Sequence, residues 1–393
     1  MAKFNPGLLA LAAGAFGIGV TEFAPMGLLP VMAKDLDVSI PAAGLLISAY
    51  ALGVMIGAPV MTLATARWPR RRLLILLAGV FTLGNLLAAV SHSYGLLLAA
   101  RVLTSFNHGA FFGIGALVAA SLVPQQRQAS AVAAMFMGLT IANVVGVPLA
   151  TWAGEHLGWR TSFWGIALLG VLIMTSLRLT LPVLPAADGG NARAELRVLM
   201  RGEVLGALAL TVVGSSSMFT VFTYIAPILR SATHASAGFV TTMLVVYGLG
   251  LTAGNWLGGR FADRSVDRTL IVTLASLCAI LTAFAFLMPF AAPAALLIFL
   301  WAVASFALVP PLQVRVMTVA ADAPNLASAV NIGAFNLGNA LGAALGGGVI
   351  AMGWGYPSVS IAGAATAAIG LVTMIFFARG AVTRRSGELC PAG

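Results

Sequence analysis

The sequence predicts an all-α membrane protein: twelve transmembrane helices in two six-helix pseudo-repeats, with both termini in the cytoplasm. Three observations carry that expectation. Mean hydropathy is +1.01 and only 8% of residues are charged, where a soluble domain carries about 25%. Apolar runs of the roughly 20 residues needed to cross a bilayer recur twelve times between short polar breaks. Lys and Arg fall almost wholly on one side of those runs.

The runs place spans at about 5–32, 43–65, 73–91, 96–122, 129–153 and 162–181, then 204–229, 237–258, 269–289, 293–317, 325–351 and 356–378. Only helices or closed barrels satisfy every backbone group in lipid. Barrel strands would alternate polar and apolar over about ten residues, and these runs do not. The first run exceeds the roughly 7–15 apolar residues of a signal peptide and carries Glu22, so it is expected to be retained as span 1. The organisation expected is a six-helix bundle at 1–181, a cytoplasmic linker at 182–203, a second bundle at 204–379 and a cytoplasmic tail at 380–393.

Seventeen of the 21 basic residues fall on one side, including Arg70, Arg71, Arg72, Arg127, Arg193, Arg197 and Arg201. Only Lys34, Arg160 and Arg230 fall on the other, and Arg101 lies inside span 4. This asymmetry orients the termini and the middle loop to the cytoplasm. The net charge of +10 is thus spread in short clusters rather than gathered in a patch, and no nucleic-acid partner is expected. Cys278 and Cys390 support neither a disulfide framework nor a metal site. With no HExxH run, P-loop or cysteine pair, no metal, ATP or other cofactor is expected, and no enzymatic activity.

The halves repeat each other. Residues 129–132, Ala-Ser-Ala-Val, recur at 327–330; Asn143 with Gly146 recurs as Asn339 with Gly342; Trp159 after a glycine recurs as Trp354. The offsets, 195–198 residues, match span 5 to span 11. A six-plus-six duplication of this kind is the organisation of transporters built from two parallel repeats. A complete two-half bundle needs no partner subunit, and a monomer is expected.

Of the eleven acidic residues, only Glu22 sits inside a long apolar run. A carboxylate at that depth costs at least a few kcal/mol unless paired, wetted or protonated, so it reads as functional by default. A structural carboxyl bonded between helices is the alternative.

The loop at 258–264, Gly-Gly-Arg-Phe-Ala-Asp-Arg, and its counterpart at 65–72, Thr-Ala-Arg-Trp-Pro-Arg-Arg-Arg, resemble the cytoplasmic loop motif of the major facilitator superfamily. The second departs from it, with Ala66 where the family usually has aspartate. Span 5, from Gly138 to Gly154 with Gly146 and Pro148 between, is similar to the glycine-and-proline motif of the antiporter branch. Thr21-Glu22-Phe23 and the run from Arg101 to Gly115 look like the twelve-span drug/proton antiporters, among them bacterial sugar-efflux and chloramphenicol-resistance-like members.

The resemblance covers essentially the whole chain. It implies a major facilitator fold in a bacterial inner membrane, with spans 1, 4, 7 and 10 lining a central cavity. It further implies proton-coupled export of small amphipathic compounds. Export of sugars or nucleosides, and uncoupled uniport, are the alternatives. Arg67, Arg71, Arg260, Asp263 and Arg264 would then form the gating loops, with Asp263 supplying a charge pair on the second half alone.

At 1.5 Å per residue, Glu22 lies about 15 Å from the outer end of span 1, with Arg101 about 8 Å and His108 about 18 Å into span 4. Glu22, Arg101 and His108 are therefore expected to form one polar cluster. Burial favours the neutral form of a carboxyl and a nearby guanidinium the charged one, so access switching could load and release a proton at Glu22. His108 could share the proton or make a helix–helix hydrogen bond. The substrate candidates are Phe111, Phe219, Phe222, Tyr224, Trp301 and Phe306, together with the amides Asn143, Asn336 and Asn339, since an amide in hydrocarbon needs a partner. With no second acid in the spans, neutral or weakly polar substrates are favoured over strong cations.

Overall fold

The computed structural model describes residues 5–65, 68–124, 128–183, 197–322 and 324–388. Lys3, Ala66, Arg67, Arg127, Arg193, Cys390, most of the expected linker and the last residues of the tail lie outside them. Twelve helices among the described residues are long and apolar enough to cross a membrane.

The first six are α1 (Pro6–Asp35), α2 (Ile40–Ala64), α3 (Arg70–Ala89), α4 (Tyr94–Ser121), α5 (Gln128–Ile141 and Val147–Leu157, joined by a π-helical turn at Ala142–Gly146) and α6 (Trp159–Thr180). The second six are α7 (Gly202–Phe222, then Ile225–Ala232), α8 (Ala237–Ala262), α9 (Val266–Leu287), α10 (Ala291–Ala307, then Val309–Val319), α11 (Pro324–Ala351) and α12 (Gly355–Glu388). The apolar part of α12 ends at Ala378, so helix continues into what the sequence suggested was a tail.

Helix starts follow from local chemistry. Asn5 Oδ1 accepts from the Gly7 and Leu8 amides at the head of α1. Ser93, Ser236 and Ser265 do the same for α4, α8 and α9.

The internal duplication is visible in the backbone. Positive φ occurs at Asp37 (51°), after α1, and at His234 (53°), after α7. It occurs again at Gly158 (90°), before α6, and at Gly353 (76°), before α12. Equivalent turns of the two halves thus use the same left-handed step.

Prolines account for the interruptions. Proline lacks an N–H and crowds the carbonyl four residues earlier. Pro148 leaves the Val144 carbonyl without its helical donor, and the Val147 amide reaches back to Ala142 O, making the π turn. Pro227 stands four residues after Thr223, where α7 breaks. Pro310 and Pro311 follow the break at Leu308 in α10.

Buried apolar residues gather into two main clusters. One is built from α1 to α6; the other is built mainly from α7 to α12 and takes in Phe23, Met26, Leu29 and Ile47 from the first half. Gly138, Gly146 and Gly154 all face α1: a Cβ on them would collide with Ala12 O, Val20 and Leu28 respectively. The three glycines therefore set the close approach of α5 to α1.

Candidate functional site

A cavity of about 570 Å³ lies between the halves. Its residues on α5 all precede or include Asn143, and those on α8 all follow Gly248 (Leu251, Thr252, Asn255, Trp256). Since α5 runs away from the terminus side and α8 runs back, the cavity occupies the terminus-side half of the bundle. Glu22 and Phe23 form its far end.

Beyond that end the halves close on each other. Gly248 sits where a Cβ would come 2.5 Å from Asn143 O, so α8 rests directly on the π turn of α5. Phe23 packs against Phe219 and Phe222, with ring centroids 6.2 and 6.0 Å apart. Farther out, the Arg230 guanidinium bonds the buried Glu155 carboxylate, joining α7 to α5. Among the described residues it is the one ion pair between the halves; Asp35–Arg160, Arg201–Asp322 and Asp267–Arg315 each stay within one half.

Glu22, Arg101 and His108 do meet. Glu22 Oε2 is 3.9 Å from His108 Nδ1, both largely buried. Arg101 is 1% exposed and does not reach the surface by extending along the helix. Its Nη1 donates to Thr21 O at 2.7 Å, and the reason lies four residues on. Pro25 has no N–H to give that carbonyl, and Arg101 supplies the missing donor. Nε and Nη2 of Arg101 have no hydrogen-bond partner; instead the guanidinium stacks over Tyr50, 4.1 Å from the ring centroid. Among the described residues, no ion pair within 4.0 Å joins Arg101 to Glu22, so the acid is not locked in a salt bridge.

Tyr50, on α2, is the residue that sequence reasoning missed. Its hydroxyl lies 3.1 Å from His108 Nδ1, and its ring carries Arg101. A tyrosine inside an otherwise apolar span was the available signal. Thr21 adds a second missed contact, donating to Asn85 Oδ1 of α3 at 2.5 Å.

The expected substrate residues divide. Phe219, Phe306, Asn143, Asn336 and Asn339 line the cavity. Phe111 does not: its ring lies against Gly14 in the first-half core, beside a small void bounded by Ile18, Phe81 and Ile173. The next residue, Phe112, lines the cavity and stacks on Phe136 at 5.1 Å. Phe222 and Trp301 lie behind the wall in an aromatic cluster with Tyr247. Tyr224 sits farther out, donating to Ala343 O at 2.8 Å and pressed against Gly44 and Gly347. Spans 1, 4, 7 and 10 all reach the cavity, through Glu22, His108, Phe219 and Phe306 among others, and α5, α8 and α11 line it as well.

Of the gating-loop residues, Arg71 donates to the Arg178 carbonyl of α6, and Arg260 lies over Trp256 at 5.4 Å. Asp263 and Arg264 form no ion pair among the described residues; the nearby charge pair is Asp267–Arg315, at 2.5 Å. Arg67 is not described.

The Major Facilitator Superfamily profile matches residues 11–332. The chain is 57% identical over 377 residues to the inner membrane transport protein YdhP of Escherichia coli (strain K12), covering 96% of this chain and 97% of that one. It is 33% identical over 339 residues to a chloramphenicol resistance protein of Streptomyces lividans, covering 85% and 86%. Among solved structures, a D-xylose–proton symporter superposes with a TM-score of 0.71 at 17% identity, over 94% of this chain and 96% of that one. A bacterial homologue of the lysosomal transporter Spinster, inward-facing and unoccupied, gives 0.69 at 16% identity over 94% of each chain. The protein is a multi-pass inner-membrane protein, and it belongs to the Major Facilitator Superfamily of transporters.

Proposed function

We propose that the protein exports small, neutral or weakly polar amphipathic compounds, phenicol-like antibiotics among them, in exchange for protons. The observation that carries this reading is Glu22: a buried carboxyl at the closed end of the cavity, beside His108 and not paired with the nearby Arg101. With the termini in the cytoplasm, as the basic-residue count orients them, the cavity faces the cell interior. Substrate enters from the cytoplasm and rests among Phe112, Phe136, Phe219 and Phe306. The halves then rock about the fixed site. On the outside Glu22 takes a proton as substrate leaves, and it releases the proton when the cavity faces inward again.

The relative from Streptomyces lividans, named for chloramphenicol resistance, supports the phenicol reading. The amides of the cavity wall favour a second one, export of sugars or nucleosides. Everted membrane vesicles with an acid interior test the coupling. Accumulation of chloramphenicol, or of a radiolabelled sugar or nucleoside, that collapses when the pH gradient is dissipated is the expected result. Flux that ignores the gradient would instead indicate an uncoupled uniporter.

A further inference from the structure

The cavity-wall amides are not equivalent, and their differences are set by chemistry. Asn143 Nδ2 donates to Leu139 O at 3.0 Å, and Asn336 Nδ2 donates to Ile332 O at 2.9 Å. Each is a bond to the carbonyl four residues back on the same helix. A carbonyl only accepts, so the NH₂ of each amide must face its own helix and the amide oxygen must turn away from it. Asn336 Oδ1 is buried and has no partner, and Asn143 Oδ1 accepts no hydrogen bond among the described residues. Asn339 differs, since its Oδ1 is already held by the Ser215 hydroxyl. Both free acceptors belong to residues that line the cavity and are 4% exposed. One comes from α5 in the first half and the other from α11 in the second. A buried acceptor without a partner is costly, and Asn336, which lines the cavity, relieves that cost by turning its covered oxygen toward a donor there, while the Asn143 oxygen is not among the covered ones.

We propose that Asn143 and Asn336 select the substrate by accepting hydrogen bonds from it, so that the transported class is neutral molecules bearing at least two hydroxyl or N–H donors on an apolar scaffold. The proposal rests on reading the cavity as the substrate site. A ligand that satisfies both oxygens bridges the two halves, and its apolar part lies on Phe112, Phe136, Phe219 and Phe306. A donor-free organic cation satisfies neither oxygen and finds only Glu22 as a counter-charge among the lining residues.

The test is equilibrium binding to the purified full-length protein, with no pH gradient, using two parent probes and their blocked forms. The pairs are chloramphenicol with its 1,3-di-O-acetyl derivative and uridine with its tri-O-acetyl derivative. At least one parent is expected to bind about tenfold or more tightly than its acetylated form. Asn143→Ala and Asn336→Ala are each expected to lose most of that preference, because the parent loses a hydrogen bond that the acetylated form, with its one remaining N–H, makes less often; thermal unfolding of each variant reports that it is folded. Should an alanine variant fail to fold, Asn336→Thr, which retains an oxygen acceptor, is expected to keep a preference for the parent. Equal binding of parent and acetylated forms, binding of neither parent, or an undiminished preference in both folded alanine variants would overturn the proposal. Because no gradient is applied, a failure of proton coupling leaves this result unchanged.

Discussion

Tyr50 and Glu22 address the same nitrogen of His108: the tyrosine hydroxyl lies 3.1 Å from Nδ1 and the carboxylate oxygen 3.9 Å from it. Three helices, α2, α4 and α1, therefore meet at one ring atom. The Tyr50 ring also carries Arg101 on its face, so a single side chain positions both basic neighbours of the acid.

Replacing Tyr50 by Phe keeps the ring under the guanidinium and removes only the hydroxyl. The variant is expected to fold and to bind probe within about twofold of wild type, while its gradient-driven transport changes in pH profile. Replacing it by Ala also removes a desolvated cation–π contact worth about 2 kcal/mol, and a lowered melting temperature should follow. A Tyr50→Phe protein with an unchanged pH profile would leave Tyr50 a purely structural role.

Pro25→Ala probes the link between helix chemistry and the site. Alanine is the better helix former, and its N–H would satisfy Thr21 O. Arg101 Nη1 would then share that carbonyl, whose oxygen has two lone pairs, with the N–H of the new alanine. The shared carbonyl is expected to hold the guanidinium less firmly, changing stability by less than about 1 kcal/mol and lowering transport. A more stable and fully active variant would show that the carbonyl cap is dispensable.

Glu155→Gln should loosen the far end. Removing one partner leaves the Arg230 charge without its carboxylate, but that side chain is 34% exposed, so water takes up much of the loss and a cost of about 1 kcal/mol is expected. The bundle is expected to populate the opposite, outward-open arrangement more often. The readout is labelling of Leu244→Cys by a membrane-impermeant thiol reagent from the side opposite the termini, in a protein whose Cys278 and Cys390 are replaced by Ser. Leu244 is buried where α8 meets Gly27 of α1 and Thr151 of α5. Labelling should rise severalfold; an unchanged rate would separate the ion pair from gating.

Gly138→Ala drives a methyl into the Ala12 carbonyl. Backbone cannot step aside as a side chain can, so a loss of about 1–3 kcal/mol is expected from overpacking. Gly113→Ala, where nothing lies within 4 Å of the added carbon, is the matching control, measured by thermal unfolding in detergent.

Much of the fold was legible because the bilayer fixes span length and the basic residues fix which ends share a side. The depth match between Glu22 and His108 followed from a constant rise per residue, and the two side chains do meet. What the sequence did not carry was helix phase. Residues 111 and 112 are about 100° apart on one helix, and no polar stripe tells which faces the cavity; Phe112 does, while Phe111 packs on Gly14. In the same way α2 is apolar on all sides, so Tyr50 gave no sign that it points at α4. Trp301 and Phe222 were selected by type, yet their rings stack behind the wall. Glu155 and Arg230 are 75 residues apart, and only the closed far end brings them together.

The most direct measurement is pH-gradient-driven accumulation of chloramphenicol in everted vesicles carrying Glu22→Gln, with binding to the same purified variant measured in parallel. The variant is expected to bind the probe within about threefold of wild type and to show no accumulation above gradient-free vesicles. Full gradient-driven accumulation by Glu22→Gln would contradict proton carriage at Glu22.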